Sequence, residues 1–199
     1  KNFGFGRHTG IEIGDSIGAL ASREFKLREL GEGWVPADTV NASIGQLYNA
    51  FTPIQLVSYV STIGNGGKMY RPHLIRKKVD YTGKVTMTEI EYQETGAKKS
   101  TIEAVKKGMV AVTNSEDGTA VDAFKDFPFE VAGKTGTAET GHEETESSNA
   151  LFVCYAPADD PQIAVAVVVE KGVVGAWTAP IARDVLMTYF NIREQQVDR

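Results

Sequence analysis

The chain has almost no cysteine. Cys154 stands alone among 199 residues, so no disulfide can form within the chain and the redox compartment is not indicated. There is no basic surplus either: 21 Lys and Arg face 26 Asp and Glu, for a net charge of -5. That balance argues against a nucleic-acid binder and makes short clusters such as Arg76-Lys77-Lys78 solvated faces. No unbroken apolar run, Ile163 to Val169 included, approaches the about 20 residues that a bilayer span takes. No secretory leader, repeat or low-complexity tract is visible. The chain opens at Lys1 without a methionine, and the expectation is a piece of something longer. The hydrophobic content, 42%, is ordinary for a chain with a packed core, and the length suffices for one domain.

Secondary structure can be read coarsely. Glycines interrupt residues 1–45 so often that mostly loop with short pieces is expected there. Thr52-Pro53 opens a helix, with Thr as cap and Pro in the first turn, and Gly64-Asn65-Gly66-Gly67 ends it. Residues 69–93 read as a hairpin turning at Thr82-Gly83. Ser100 or Thr101 caps a second helix that ends near Asn114, and Gly118-Thr119-Ala120 starts a shorter one. Strands are expected over about 129–139, 149–156 and 162–170, then a last helix over about 178–190 and a frayed tail from Arg193. Cys154 falls in an apolar strand, where a buried and inert thiol is expected.

The most informative string is Ala132-Gly133-Lys134-Thr135-Gly136-Thr137-Ala138-Glu139. It joins one cation and two hydroxyls to residues small enough for another backbone to approach. Gly-Lys-Thr also ends a phosphate-binding P-loop, but that loop needs a glycine five residues before Gly133. Pro128 stands there, with a fixed φ and no N–H to offer.

The other owner of Lys-Thr-Gly is the superfamily of penicillin-binding proteins and serine β-lactamases. The flanks carry the resemblance: the glycine-rich Phe3-Gly4-Phe5-Gly6-Arg7-His8-Thr9-Gly10-Ile11, then Ile44-Gly45-Gln46, Thr52-Pro53-Ile54-Gln55-Leu56, Gly64-Asn65-Gly66-Gly67 and Arg71-Pro72-His73-Leu74. Gly118-Thr119-Ala120 and Phe152-Val153-Cys154-Tyr155-Ala156-Pro157 follow in order. Over nearly its full length the chain resembles class B penicillin-binding proteins, most nearly the elongation type.

The resemblance implies an α+β fold, an antiparallel sheet flanked by helices and incomplete at its N-terminus, with residues 1–199 forming the C-terminal portion of one transpeptidase domain. It implies that Lys134, Thr135, Gly136 and Thr137 form the substrate-binding wall of a peptidoglycan D,D-transpeptidase, holding a stem peptide that ends in D-Ala-D-Ala. Thr135 and Thr137 share a strand face, whereas alternation sends Lys134 to the other, to be reconciled by its long stem or a local twist. β-Lactams would acylate the full-length parent, which would stand outside the cytoplasmic membrane on an N-terminal anchor, with elongation-machinery proteins as possible partners. No cofactor, metal or nucleic acid is implied. No serine stands three residues before any lysine, so the Ser-x-x-Lys nucleophile is expected upstream of Lys1 and the catalytic residues outside the chain. Ser147-Ser148-Asn149 follows Lys-Thr-Gly instead of preceding it and reads as coincidence, and Ser115-Glu116-Asp117 likewise. Glu139, His142, Glu143, Glu144 and Glu146 read as a solvated acidic loop, and Trp34 and Trp177 as packing residues, with a place at the border of the cleft as the alternative for Trp177 at the start of the last helix. Two alternatives remain open: a noncatalytic binding or scaffold module of this fold, and a β-lactam sensor or β-lactamase relative.

Overall fold

The structure, a computed structural model, describes residues 2–139 and 148–192. The tail expected to fray from Arg193 and the acidic residues His142 to Glu146 lie outside the described residues. The chain divides into two compact units, Lys1–Lys98 and Lys99–Arg199.

In the first unit, the glycine-rich opening is less irregular than its sequence suggests. It contains α1 (Arg23–Leu30) and α2 (Pro36–Ser43). Ser22 caps α1 by accepting from the Phe25 N–H at 3.0 Å, and Gly31 ends it at φ 70°, a left-handed turn that a glycine takes without strain. Both helices escaped the periodicity argument because they are short and because Leu27, Leu30 and Val40 face solvent. An ion pair holds them instead. Lys26 and Asp38, each 5% exposed, meet at 2.8 Å, and the same carboxylate oxygen accepts from the Val35 N–H that precedes α2.

α3 (Pro53–Gly64) begins where Thr52-Pro53 places it. Its capping box is reciprocal: Thr52 Oγ1 accepts from the Gln55 N–H, and Gln55 Oε1 accepts from the Thr52 N–H. The Gln55 amide then donates to the carbonyls of Arg7 and Ile17, both at 2.9 Å. Gln55 of the Thr-Pro-x-Gln-Leu string is therefore a buried tie between the glycine-rich loop and α3.

The expected hairpin forms in two pieces. β1 (Lys68–Tyr70) pairs antiparallel with β4 (Tyr92–Glu94), and β2 (Lys77–Val79) with β3 (Val85–Met87). Pro72, which has no N–H for a ladder, lies in the unpaired stretch between them. The tip is fixed by Asp80, whose carboxylate accepts from the Thr82 N–H and hydroxyl and from the Lys84 N–H.

The second unit is built from α4 (Lys99–Asn114), α5 (Val121–Phe124), β5 (Ala132–Glu139), β6 (Ser148–Ala156), β7 (Ile163–Val169), a 3-10 turn (Gly175–Thr178) and α6 (Ala179–Tyr189). The strands form one antiparallel sheet in the order β5-β6-β7. Ala150, Phe152, Cys154 and Ala156 alternate onto one face of β6 and are fully buried. Phe152, Cys154 and Ala156 share a core with Phe124 of α5 and with Ala179, Ala182 and Leu186 of α6. The strand at the motif starts at Ala132, three residues later than its upstream apolar alternation predicts. Phe127 and Phe129 pack edge-to-face at 5.1 Å, and Phe129 meets Phe190 at 4.8 Å, so their hydrophobicity serves an aromatic cluster instead of a ladder.

The Asp38 carboxyl is held below the usual carboxylate range, first by the hydrogen bond from Lys26 and then by the Val35 N–H. A depressed folded-state pKa stabilises the fold above the unfolded-state value, and that contribution is lost as pH falls through the folded-state value. Asp38→Asn is expected to lower Tm at pH 7 and to flatten the decline in Tm on acidification below about pH 5. Thermal melts across a pH series check this, and parallel curves for wild type and variant would contradict it.

Candidate functional site

β5 is an edge strand of its sheet among the described residues, as is β7. Lys134 stands opposite Val153, Thr135 opposite Phe152, Gly136 opposite Leu151 and Thr137 opposite Ala150. Directly paired residues share a face, so Gly133, Thr135 and Thr137 lie on the face that carries Phe152 and Cys154, and Lys134 and Gly136 lie on the other. The two threonines are thus on one side, as their spacing predicts. Lys134 is exposed, and its Nζ donates to the Thr135 carbonyl at 2.6 Å. The long stem curls along the strand and sets the charge against the Thr135 backbone.

Both hydroxyls have partners on their own face. Thr135 Oγ1 lies 2.9 Å from Thr119 Oγ1, and Thr137 Oγ1 accepts from the Gly175 N–H at 3.1 Å. Neither partner was assigned a role by sequence reasoning. Gly118-Thr119-Ala120 was visible as a string without a function, and Gly175 was one glycine among several before the last helix.

The glycines around the strand differ in what they are for. A Cβ on Gly133 would stand 2.6 Å from Phe152 Cζ and 3.1 Å from Thr113 Cγ2, so packing requires the glycine. A Cβ on Gly175 would stand 2.2 Å from the Gly136 carbonyl oxygen, because the 3-10 turn lies directly against the strand backbone. Gly136 is different. Its nearest neighbour for an added Cβ is Leu151 Cβ at 3.5 Å, an ordinary contact, and its φ lies outside the left-handed region. Nothing in the fold of the described residues demands glycine at 136.

Other candidates separate from this cluster. Cys154 is fully buried and its thiol is pushed up to about 12 by that burial, which makes it a core residue and no nucleophile. Ser148 and Asn149 belong to β6, paired with Glu139 and Ala138, and Asn149 Oδ1 accepts from the Lys171 N–H at 3.2 Å. Ser147 lies outside the described residues. Trp177 is 67% exposed, so it is no packing residue of this unit, while Trp34 of the first unit donates its indole N–H to Thr39 Oγ1. The first unit has a concavity of about 310 Å³ whose polar lining is already engaged in part, Gln55 with the glycine-rich loop and Arg71 with Glu91. No group of three His, Cys, Asp or Glu side chains among the described residues is placed to hold a metal.

Residues 1–187 match the family described as the penicillin binding protein transpeptidase domain. The chain belongs to this family. It is 36% identical over 214 aligned residues to the peptidoglycan D,D-transpeptidase MrdA of Haemophilus influenzae, covering 100% of this chain and 33% of that protein. It resembles the crystal structure of Pseudomonas aeruginosa PBP2 in complex with WCK 5153 with a TM-score of 0.79 and 33% identity, over 98% of this chain and 43% of that one. It is also similar to the PBP2 of Helicobacter pylori in its complex with MreC, with a TM-score of 0.79 and 25% identity, over 96% of this chain and 35% of that one. These relatives agree with the elongation-type resemblance read from the sequence. The chain spans about a third of the length of the curated relatives it matches.

Within this penicillin-binding fold, Gly175→Ala is expected to force the 3-10 turn off β5. Overpacking of this kind typically costs about 1–3 kcal/mol. A lowered Tm by calorimetry checks it; an unchanged melt would show that the turn moves away freely.

Proposed function

We propose that residues 1–199 are the C-terminal portion of the transpeptidase domain of a serine-type peptidoglycan D,D-transpeptidase, and that Lys134, Thr135, Gly136 and Thr137 are its substrate-holding wall. The observation that carries this reading is Gly136: a glycine with no packing or conformational reason, on an edge strand, between two oriented hydroxyls and beside an ammonium. A residue kept bare without a demand from the fold suits the approach of another chain. A stem peptide ending in D-Ala-D-Ala can lie along the strand as an added edge. Its terminal carboxylate meets the Thr135 and Thr137 hydroxyls and the Lys134 charge, and charge-assisted hydrogen bonds of this kind are the strong ones. The Thr137 N–H is the oxyanion donor of this wall, two residues from the carbonyl that Lys134 engages.

The nucleophile and the Ser-x-Asn element belong to the longer parent, upstream of Lys1. β-Lactams acylate that parent as substrate mimics. The parent works on the outer side of the bacterial cell membrane, anchored by a segment outside this chain; no described helix is long and apolar enough to cross a membrane. The Helicobacter pylori relative was solved with MreC, which supports an elongation-machinery protein as a partner of the parent.

Three experiments test the reading. Gly136→Ala in the full-length protein is expected to leave Tm nearly unchanged, since the methyl meets only Leu151. It should slow acylation by a fluorescent penicillin, and an unchanged rate would remove the case for the wall. Lys134→Ala should slow the same reaction about ten- to a hundredfold, the range for a lost hydrogen bond to a charged group. Intact mass of the isolated 199-residue chain after penicillin treatment should show no stoichiometric adduct. An adduct would place the nucleophile inside the chain.

A further inference from the structure

We propose that Thr119 is a positioning residue for Thr135: its hydroxyl donates to Thr135 Oγ1 and so turns the Thr135 proton outward, toward a ligand carboxylate. This rests on the reading of β5 as the substrate wall.

The contact itself is a hydroxyl pair at 2.9 Å in which either oxygen could be the donor. A hydroxyl has one hydrogen to give and two lone pairs to accept with. When an anion sits before Thr135, the Thr135 hydrogen goes to the anion, and the only way to keep the pair is for Thr119 to donate. The two O–H groups then point the same way and end on the charge, an arrangement in which each hydrogen bond strengthens the next. Without Thr119 the Thr135 hydroxyl is free to rotate and loses its own donor.

The backbone around Thr119 is built to hold that orientation. The Gly118 N–H donates to the Ser115 carbonyl at 2.8 Å, and the Ala120 N–H donates to the Val112 carbonyl at 2.9 Å. Gly118 passes so close to the end of α4 that a Cβ there would stand 2.6 Å from two of its carbonyl oxygens. Ala120 is buried in the core of the unit. Thr119 is thus pinned on both sides while its own side chain stays exposed. The end of α4 is in turn fixed to the start of β5, where the Thr113 hydroxyl and the Asn114 amide both donate to the Val131 carbonyl. One rigid corner therefore sets the Thr119 hydroxyl against the Thr135 hydroxyl.

The test uses the full-length protein with Thr119→Val, which keeps the shape and removes the hydroxyl, and Thr119→Ser, which restores it. Each is treated with benzylpenicillin and with its methyl ester, which lacks the carboxylate, and the second-order acylation rate is read by mass spectrometry. The expected result is a loss of about tenfold for Thr119→Val with benzylpenicillin, no comparable loss with the ester, and recovery in Thr119→Ser. Equal losses with both reagents would mean that Thr119 merely supports the fold, and no loss with either would remove it from the site; both overturn the proposal. Wild-type protein that is not acylated by benzylpenicillin at all would overturn the transpeptidase reading, and this inference with it.

Discussion

The second unit depends on how closely other parts of the chain approach the backbone of β5. Its face toward Phe152 admits no side chain at 133, and the turn at Gly175 lies so near the Gly136 carbonyl that no methyl group fits on Gly175. That contact holds the strand in place by steric exclusion and by the Gly175 N–H bond to Thr137. A strand clamped this way keeps its polar groups at fixed positions without a side chain of its own to fill the space. The same scarcity of bulk underlies the proposed function, in which the space that the fold leaves open at Gly136 takes a ligand.

The Lys-Thr-Gly-Thr string works as a mixed element and not as four equivalent ligands. Gly133 before it serves packing, the Thr135 and Thr137 hydroxyls meet Thr119 and Gly175, and Lys134 bonds the Thr135 carbonyl along its own stem. In the proposed reading, hydroxyls that already have partners and a charge that is already adjacent reduce what a bound carboxylate must organise. The first unit uses a different device. There, a glycine-rich segment that cannot hold regular structure by hydrophobic pattern is tied down by polar anchors, Gln55 for the loop and the Lys26–Asp38 pair for the short helices. A buried ion pair that also caps a helix restricts geometry more than it adds net stability, since much of its attraction offsets desolvation.

Much of this was legible from residue order. α3 begins at its Thr-Pro cap, the three strands of the sheet occur where alternation places them within a few residues, and Cys154 is buried as its apolar surroundings imply. The Lys-Thr-Gly string and its flanks pointed to the family to which the chain belongs. The misses have specific causes. α1 and α2 were hidden because polar contacts 12 residues apart hold them, and no hydrophobic period reports such a contact. The aromatic run before β5 imitated a strand because a cluster of rings and a ladder both favour Phe.

By itself, the sequence determined the family, the residue types of the Lys-Thr-Gly-Thr string, the strand that carries it and the absence of Ser-x-x-Lys from these 199 residues. These are local properties, encoded in residue type and in spacing along one segment. Only the tertiary structure decided which glycines are demanded by the fold, that Lys134 bonds the Thr135 carbonyl, and that Thr119 and Gly175 meet the two threonine hydroxyls. Those facts depend on atoms brought together from positions 16 and 38 residues apart, and a distance of that kind exists only once the chain has folded.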